Sequence, residues 1–350
     1  KNKTLDDSYN LFELLLTHPT RKSLIISSVV VPVAPSDLFP FFSFKYSLVS
    51  EVIYDPKTQK ATGVKVIDRL TKEVLEFNSK IIFLCASSIA SSSILMQSKS
   101  KRFPSGMGND SGELGHNIMD HQLGSGASGS FNGFHDKYYT GRRPNGFYIP
   151  RFRNIDKNSK KVNFLRGYGY QGGASRTYWS DSVAELSYGA DFKDKITQAG
   201  EWRIGMGGFG EVLPYHENKM TLNYNKLDQF GLPKITLDAE FKENEKKMKE
   251  DWKIQAAEML EATGFRDIKI NDSNAPIGKG IHEMGTARMG RDPKTSVLNK
   301  YNQIHAVKNV FVTDGACMTS AANQNPSLTY MALTARAVNH AVSELKRMNL

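Results

Sequence analysis

The chain has no glycine before Gly63, although 28 stand in its 350 residues and ~5 would fall ahead of that point at average usage. Only glycine lets a backbone approach a pyrophosphate closely. The strand, Gly-x-Gly-x-x-Gly and helix that open a dinucleotide-binding domain are therefore missing there, and no strand, glycine motif and helix in that order is read further on. Cysteine is scarce as well: Cys85 and Cys317 give neither a disulfide framework nor zinc spacing, and each reads as a free thiol in an apolar strand. No hydrophobic run is long enough to span a membrane. LIISSVVVPVA at 24–34 has about half the required length and runs into Pro35, Asp37 and Pro40. The start, KNKTLDDSYN, has no initiator Met and is no signal peptide, so the chain reads as a piece of something longer. A Gly-x-Ser-x-Gly elbow, a phosphate loop and a defensible pair of glycosidase carboxylates are also lacking.

What is present is an ordinary globular composition, 39% hydrophobic and 23% charged, with enough chain for two cores. The net charge of +10 suggests a polyanion-binding module. Its 46 Lys and Arg are scattered, however, with no run of five, and a clustered footprint is what nucleic-acid binding needs. No nucleic-acid partner is expected.

LVSEVIYD and GVKVIDRL alternate as strands around the turn PKTQKATG, and KEVLEFNSKIIFLCA continues their sheet. SSIASSSILMQSKS then reads as a helix opened by serines, and a strand, small-residue turn and helix can aim backbone amides at a ligand. NDSGELGHNIMDH at 109–121 is a loop, with Gly112 and Gly115 easing its path. From about 122 to 270, stretches such as GYGYQGGAS and GEWRIGMGGFGEVLPY alternate polar and apolar residues between glycines. An antiparallel sheet with one exposed face has that pattern. Phe241, Met248, Trp252, Ala256, Met259 and Leu260 then fall at helical spacing before Gly264, a stripe suited to core packing.

The chemistry concentrates in the last seventy residues. His282 lies in IHEMGTARMG, where Gly285 and Gly290 permit a tight path. A neutral imidazole can accept an alcohol proton because its pKa lies near working pH; a core histidine donating to a carbonyl is the plainer reading. VKNVFVTDGACM ends a strand in Asp314-Gly315, by itself a turn signal. Asn325 precedes Pro326, the ordinary opening of a helix, in which asparagine caps and proline takes the first position. Leu328, Met331, Ala332, Ala335, Val338, Val342 and Leu345 then form one apolar side. The positive end of such a helix suits a negatively charged group.

Three segments, SGELGHNIMDH, GFGEVLPYHENKMTLNYNKLDQFGLP and the C-terminal seventy residues, resemble the glucose–methanol–choline (GMC) family of FAD-dependent oxidoreductases. The resemblance covers about residues 46–350 and implies an α/β protein. A partial, Rossmann-like FAD-binding domain would comprise 46–121 and 272–350, and an antiparallel-sheet α+β substrate domain 122–271. Residues 1–45 do not follow the family and would be a divergent or frame-shifted segment. The resemblance implies oxidation of an alcohol, of sugar or polyol type, with hydride transfer to FAD and onward transfer to an unidentified electron acceptor. His282 would take the hydroxyl proton and Asn325 would hold the oxygen. Val49 would meet the adenine through its backbone, Asp314 and Gly315 would lie at the ribityl and phosphate region, and Asn325 with Pro326 at the flavin ring. His121 would be structural, where the chain crosses between domains. Where the family has Ala-Gly this chain has Ala86-Ser87. The competing reading is a flavin-free, inactive fragment of such an enzyme.

Overall fold

The computed structural model describes residues 22–26, 29–33, 41–44, 46–137, 146–176, 189–197 and 200–350. Most of the atypical segment, including residues 1–21, lies outside them.

Alternating residues build a three-stranded antiparallel sheet from β4 (Ser47–Asp55), β5 (Lys60–Asp68) and β6 (Val74–Asn78). Val49, Val52, Val64 and Val66 supply its buried side. The expected continuation of this sheet stops at Asn78. The next strand, β7 (Ile82–Leu84), leaves it and pairs in parallel with β15 (Val310–Val312), 228 positions away in sequence. The reason is apolarity: β7 and β15 are buried along their whole lengths, as strands covered on both faces must be, whereas β6 is mostly exposed. The same sheet continues through β2 (Val29–Val33), β1 (Lys22–Ile26) and β3 (Phe41–Phe44), in the order β15-β7-β2-β1-β3. Helix α1 (Ser88–Gln97) follows β7 and lies on the first half of the chain.

A second, five-stranded antiparallel sheet has the order β14-β8-β11-β10-β9, from β8 (His121–Phe131), β9 (Gly146–Ile149), β10 (Tyr168–Arg176), β11 (Trp202–Glu211) and β14 (Arg266–Asn271). The short helix α2 (Ala190–Thr197) lies between β10 and β11 in sequence, and the hairpin β12 (Lys219–Leu227) and β13 (Pro233–Asp238) follows β11. The long helix α3 (Glu243–Ala262) lies on this sheet and buries Met248, Trp252, Ala256 and Leu260. Burial of Met248 and Leu260 contributes about 1.5–3 kcal/mol each. Glycines in β11 make the seat: a Cβ at Gly208 or Gly210 would stand 2.7 or 2.5 Å from the Trp252 ring. The glycine-rich string that suggested a sheet is thus also the bed of the helix, and the expected stripe packs as core.

The last helix, α4 (Ser327–Lys346), differs from its expected orientation. Ala337 and Ala341 are its buried residues, while Leu328 and Met331 are 78% and 68% exposed. Helix α4 packs on Ile81, Phe83 and Phe311 through Ala337 and Ala341, with Val338 and Leu345 of the expected stripe partly buried beside them.

Candidate active site

His282 is fixed from three sides. Its backbone N–H donates to Asp120 Oδ1 at 3.2 Å. Two residues on, Met284 and Met119 exchange backbone hydrogen bonds of 2.9 and 3.0 Å. Beyond them Gly285, Ala287 and Met289 donate to the carbonyls of Gly315, Ala316 and Cys317. The HEMGTARMG segment is therefore zipped between the strand leading into β8 and the turn after β15. Asp120, fully buried, accepts from four backbone N–H groups: His121 on Oδ1 at 2.7 Å, His282 on Oδ1, and Gly278 and Gly280 on Oδ2 at 2.8 and 3.0 Å. Such a carboxylate gathers an otherwise irregular loop around one point.

The His282 ring meets His121. Their Nδ1 atoms are 3.0 Å apart and the rings cross at 78°. His121 is buried, contacts the Phe209 ring edge-on, and places Nε2 3.3 Å from the Ala321 carbonyl. Burial holds the His121 imidazole below its ordinary pKa. Among the described residues, no protein group bonds His282 Nε2, and the ring is half-buried. Neither Asp120 nor His121 announces this arrangement locally. Both lie 161 or more positions from His282 in sequence, and only the NIMDH string in which they stand gave any signal.

Asn325 does not do what a helix-opening asparagine was expected to do. The cap position of α4 falls at Pro326, without a side-chain cap bond, and Pro326 is buried. The Asn325 side chain is exposed, and its Oδ1 accepts from Gln171 Nε2 of β10 at 3.3 Å. Its amide hydrogens remain to donate. No hydrogen bond joins Asn325 to His282, but Ala321, which holds His121, is four residues before Asn325 in the same loop.

The other predicted residues sit around α1. Asp314 is buried and accepts from Ser91 Oγ and from Ala316 N–H, the latter at 2.9 Å. Burial raises its pKa to about 6 against these bonds. Gly315 sits where backbones meet, since a Cβ there would stand 2.4 Å from the Glu283 carbonyl. Both residues are accounted for by packing. Thr286 joins the cluster, bonding Ser88 and Ser92. The serines of α1 thus act sideways, and none caps the helix: Ser87 makes no side-chain cap bond. Ser87 holds φ 86° and ψ 160°, a region open essentially to glycine alone. Val49 lines a cleft of about 430 Å³ together with Ala86, Ala90 and Ser93 of the α1 start and Phe230 and Leu232 of the β12–β13 hairpin. Small side chains leave this cleft open beside the start of α1. Among the described residues no helix is long and apolar enough to cross a membrane.

Residues 214–334 match the sequence model of the GMC oxidoreductase family, and this segment belongs to that family. The chain is 32% identical over 289 residues to 2-methyl-1,2-propanediol dehydrogenase of Mycolicibacterium austroafricanum, covering 80% of this chain and 51% of that protein. It is 26% identical over 272 residues to the fructose dehydrogenase large subunit of Gluconobacter japonicus, covering 77% and 48%. Among solved structures, a formate oxidase shares the fold with TM-score 0.59 and 15% identity, over 97% of this chain and 71% of that one. The chain spans about half the length of the curated relatives it matches.

Proposed function

We propose that this chain contributes to FAD-dependent oxidation of an alcohol carbon in a polyol or sugar. The observation that carries the reading is His282: a ring fixed on its Nδ1 side, with Nε2 left without a protein partner. Asn325, relieved of helix capping, stands in the loop that holds His121. In this reading His282 Nε2 takes the hydroxyl proton as the carbon gives up its hydride, and the Asn325 amide orients the oxygen. FAD supplies the hydride acceptor. Val49 and Ala86 would hold its adenine in the cleft beside α1. Asp314 would act by fixing the α1 start rather than through a free carboxylate, with Gly315 keeping the His282 loop close. Asn325 and Pro326 would bring the positive end of α4 to the ring.

The cofactor half would comprise 46–121 and 272–350 and the substrate half 122–271, the second sheet and α3 lying within His121–Asn271. Similarity to a 2-methyl-1,2-propanediol dehydrogenase and a fructose dehydrogenase supports a polyol or sugar substrate. The test is to add FAD to the purified chain, separate free flavin, and add fructose or 2-methyl-1,2-propanediol without oxygen. Flavin absorbance that co-elutes and bleaches supports the reading. A chain that takes up no FAD overturns it in favour of a flavin-free fragment.

A further inference from the structure

Two imidazole nitrogens 3.0 Å apart need one proton between them, and the surroundings decide which ring carries it. The Ala321 carbonyl can only accept, so the His121 nitrogen facing it, Nε2, must carry hydrogen. His121 is 1% exposed, with the Phe209 ring edge against it, and a second proton would place a charge in that apolar setting. Neutral His121 protonated on Nε2 has a bare Nδ1. The hydrogen in the contact then belongs to His282 Nδ1, and His282 Nε2 is left as a lone pair.

We propose that His121 is a positioning residue: the Ala321 carbonyl sets its tautomer, and His121 Nδ1 in turn holds His282 in the Nδ1–H form. The inference rests on the reading of His282 as the proton acceptor and says which atom accepts. It also explains why the ring is anchored through Nδ1. In an unconstrained imidazole the hydrogen moves freely between the two nitrogens, and a His282 carrying it on Nε2 offers a donor where a base is needed. Asp120 serves the same end from the backbone, bonding the N–H groups of both histidines so that the rings meet in one register.

The proton positions can be read without cofactor or substrate. The chain is labelled with ¹⁵N-histidine, and long-range ¹H–¹⁵N correlation at a pH above the histidine range reports which nitrogen of each ring is protonated. The eight histidines are assigned by substitution. The expected spectrum has His282 protonated on Nδ1 and His121 on Nε2. His121→Asn places an amide oxygen near the position of Nδ1 and keeps His282 in the Nδ1–H form. His121→Leu removes the acceptor, and His282 shifts to Nε2–H. A parent protein with His282 protonated on Nε2 overturns the proposal even if neither variant folds. So does an unchanged His282 pattern in a folded His121→Leu. The failure modes separate: correct tautomers with no flavin reduction sink the proposed function alone, and substrate-driven bleaching with His282 protonated on Nε2 sinks this inference alone.

Discussion

Ser87 illustrates how one side chain can be at odds with its backbone. At φ 86° and ψ 160° its Cβ is crowded, and occupancy of that region by a residue other than glycine costs on the order of 1–3 kcal/mol. Glycine returns about 0.4–1 kcal/mol of that gain through greater freedom in the unfolded chain. Ser87→Gly is therefore expected to stabilise the protein by about 1 kcal/mol in denaturant titration, and a destabilised variant would refute the strain. The sequence pointed here only by contrast, through a serine where the resembling family has glycine. Asp314 makes a second residue-scale prediction. Its folded pKa of about 6 stands above the ordinary carboxyl value of 3.8, so folding holds the proton more tightly than the open chain does. The stability this contributes is full below pH 3.8 and lost as pH rises through 6. The loss amounts to about 3 kcal/mol. Unfolding measured from pH 3.5 to 7 should show that decline in the parent protein and lack it in Asp314→Asn. Identical profiles would mean that the Ser91 and Ala316 bonds already hold the carboxylate charged.

Among the elements, the loop before and after His282 has no regular structure to hold it and depends on Asp120. Asp120→Asn keeps the volume but replaces one acceptor oxygen with a donor facing backbone N–H groups. The expected cost is about 1–3 kcal/mol, with faster amide hydrogen exchange at Gly278, Gly280 and His282. Unaltered exchange there would show that the backbone pairing at Met119 and Met284 suffices alone. This dependence was hidden in the sequence, because periodicity reports faces of helices and strands and says nothing of a carboxylate reached across 158 to 162 positions. Elements with strong patterns were legible. The Met248 to Leu260 stripe was visible as a core helix, and the alternation after residue 122 as an antiparallel sheet. The α4 stripe misled for a physical reason. Val338 and Leu345 of that stripe pack beside Ala337 and Ala341 on the Phe83 and Phe311 cluster, whereas Leu328 and Met331 at the helix start face outward, and hydrophobicity alone does not tell which end of a stripe is covered.

At the scale of the molecule, side chains far apart in sequence join the second sheet to the C-terminal seventy residues. His121 opens β8 of the second sheet yet contacts His282 of the first half, and Gln171 of β10 reaches Asn325 at the start of α4. In the proposed reading the candidate site lies between the two halves, where a substrate held by one would face a cofactor held by the other. His282 and Asn325 could be picked out from their strings as candidates; Asp120, His121 and Gln171 could not be picked out as their partners, because they stand 154 or more positions away. The central claim is that His282 takes the substrate proton. It is tested most directly by loading the chain with FAD and following anaerobic bleaching of the flavin by a polyol or sugar in rapid mixing, for the parent protein and for His282→Ala. The account predicts bleaching in the parent that slows about 10²–10⁴-fold in the variant with flavin binding unchanged. Bleaching at the parent rate in His282→Ala would contradict it.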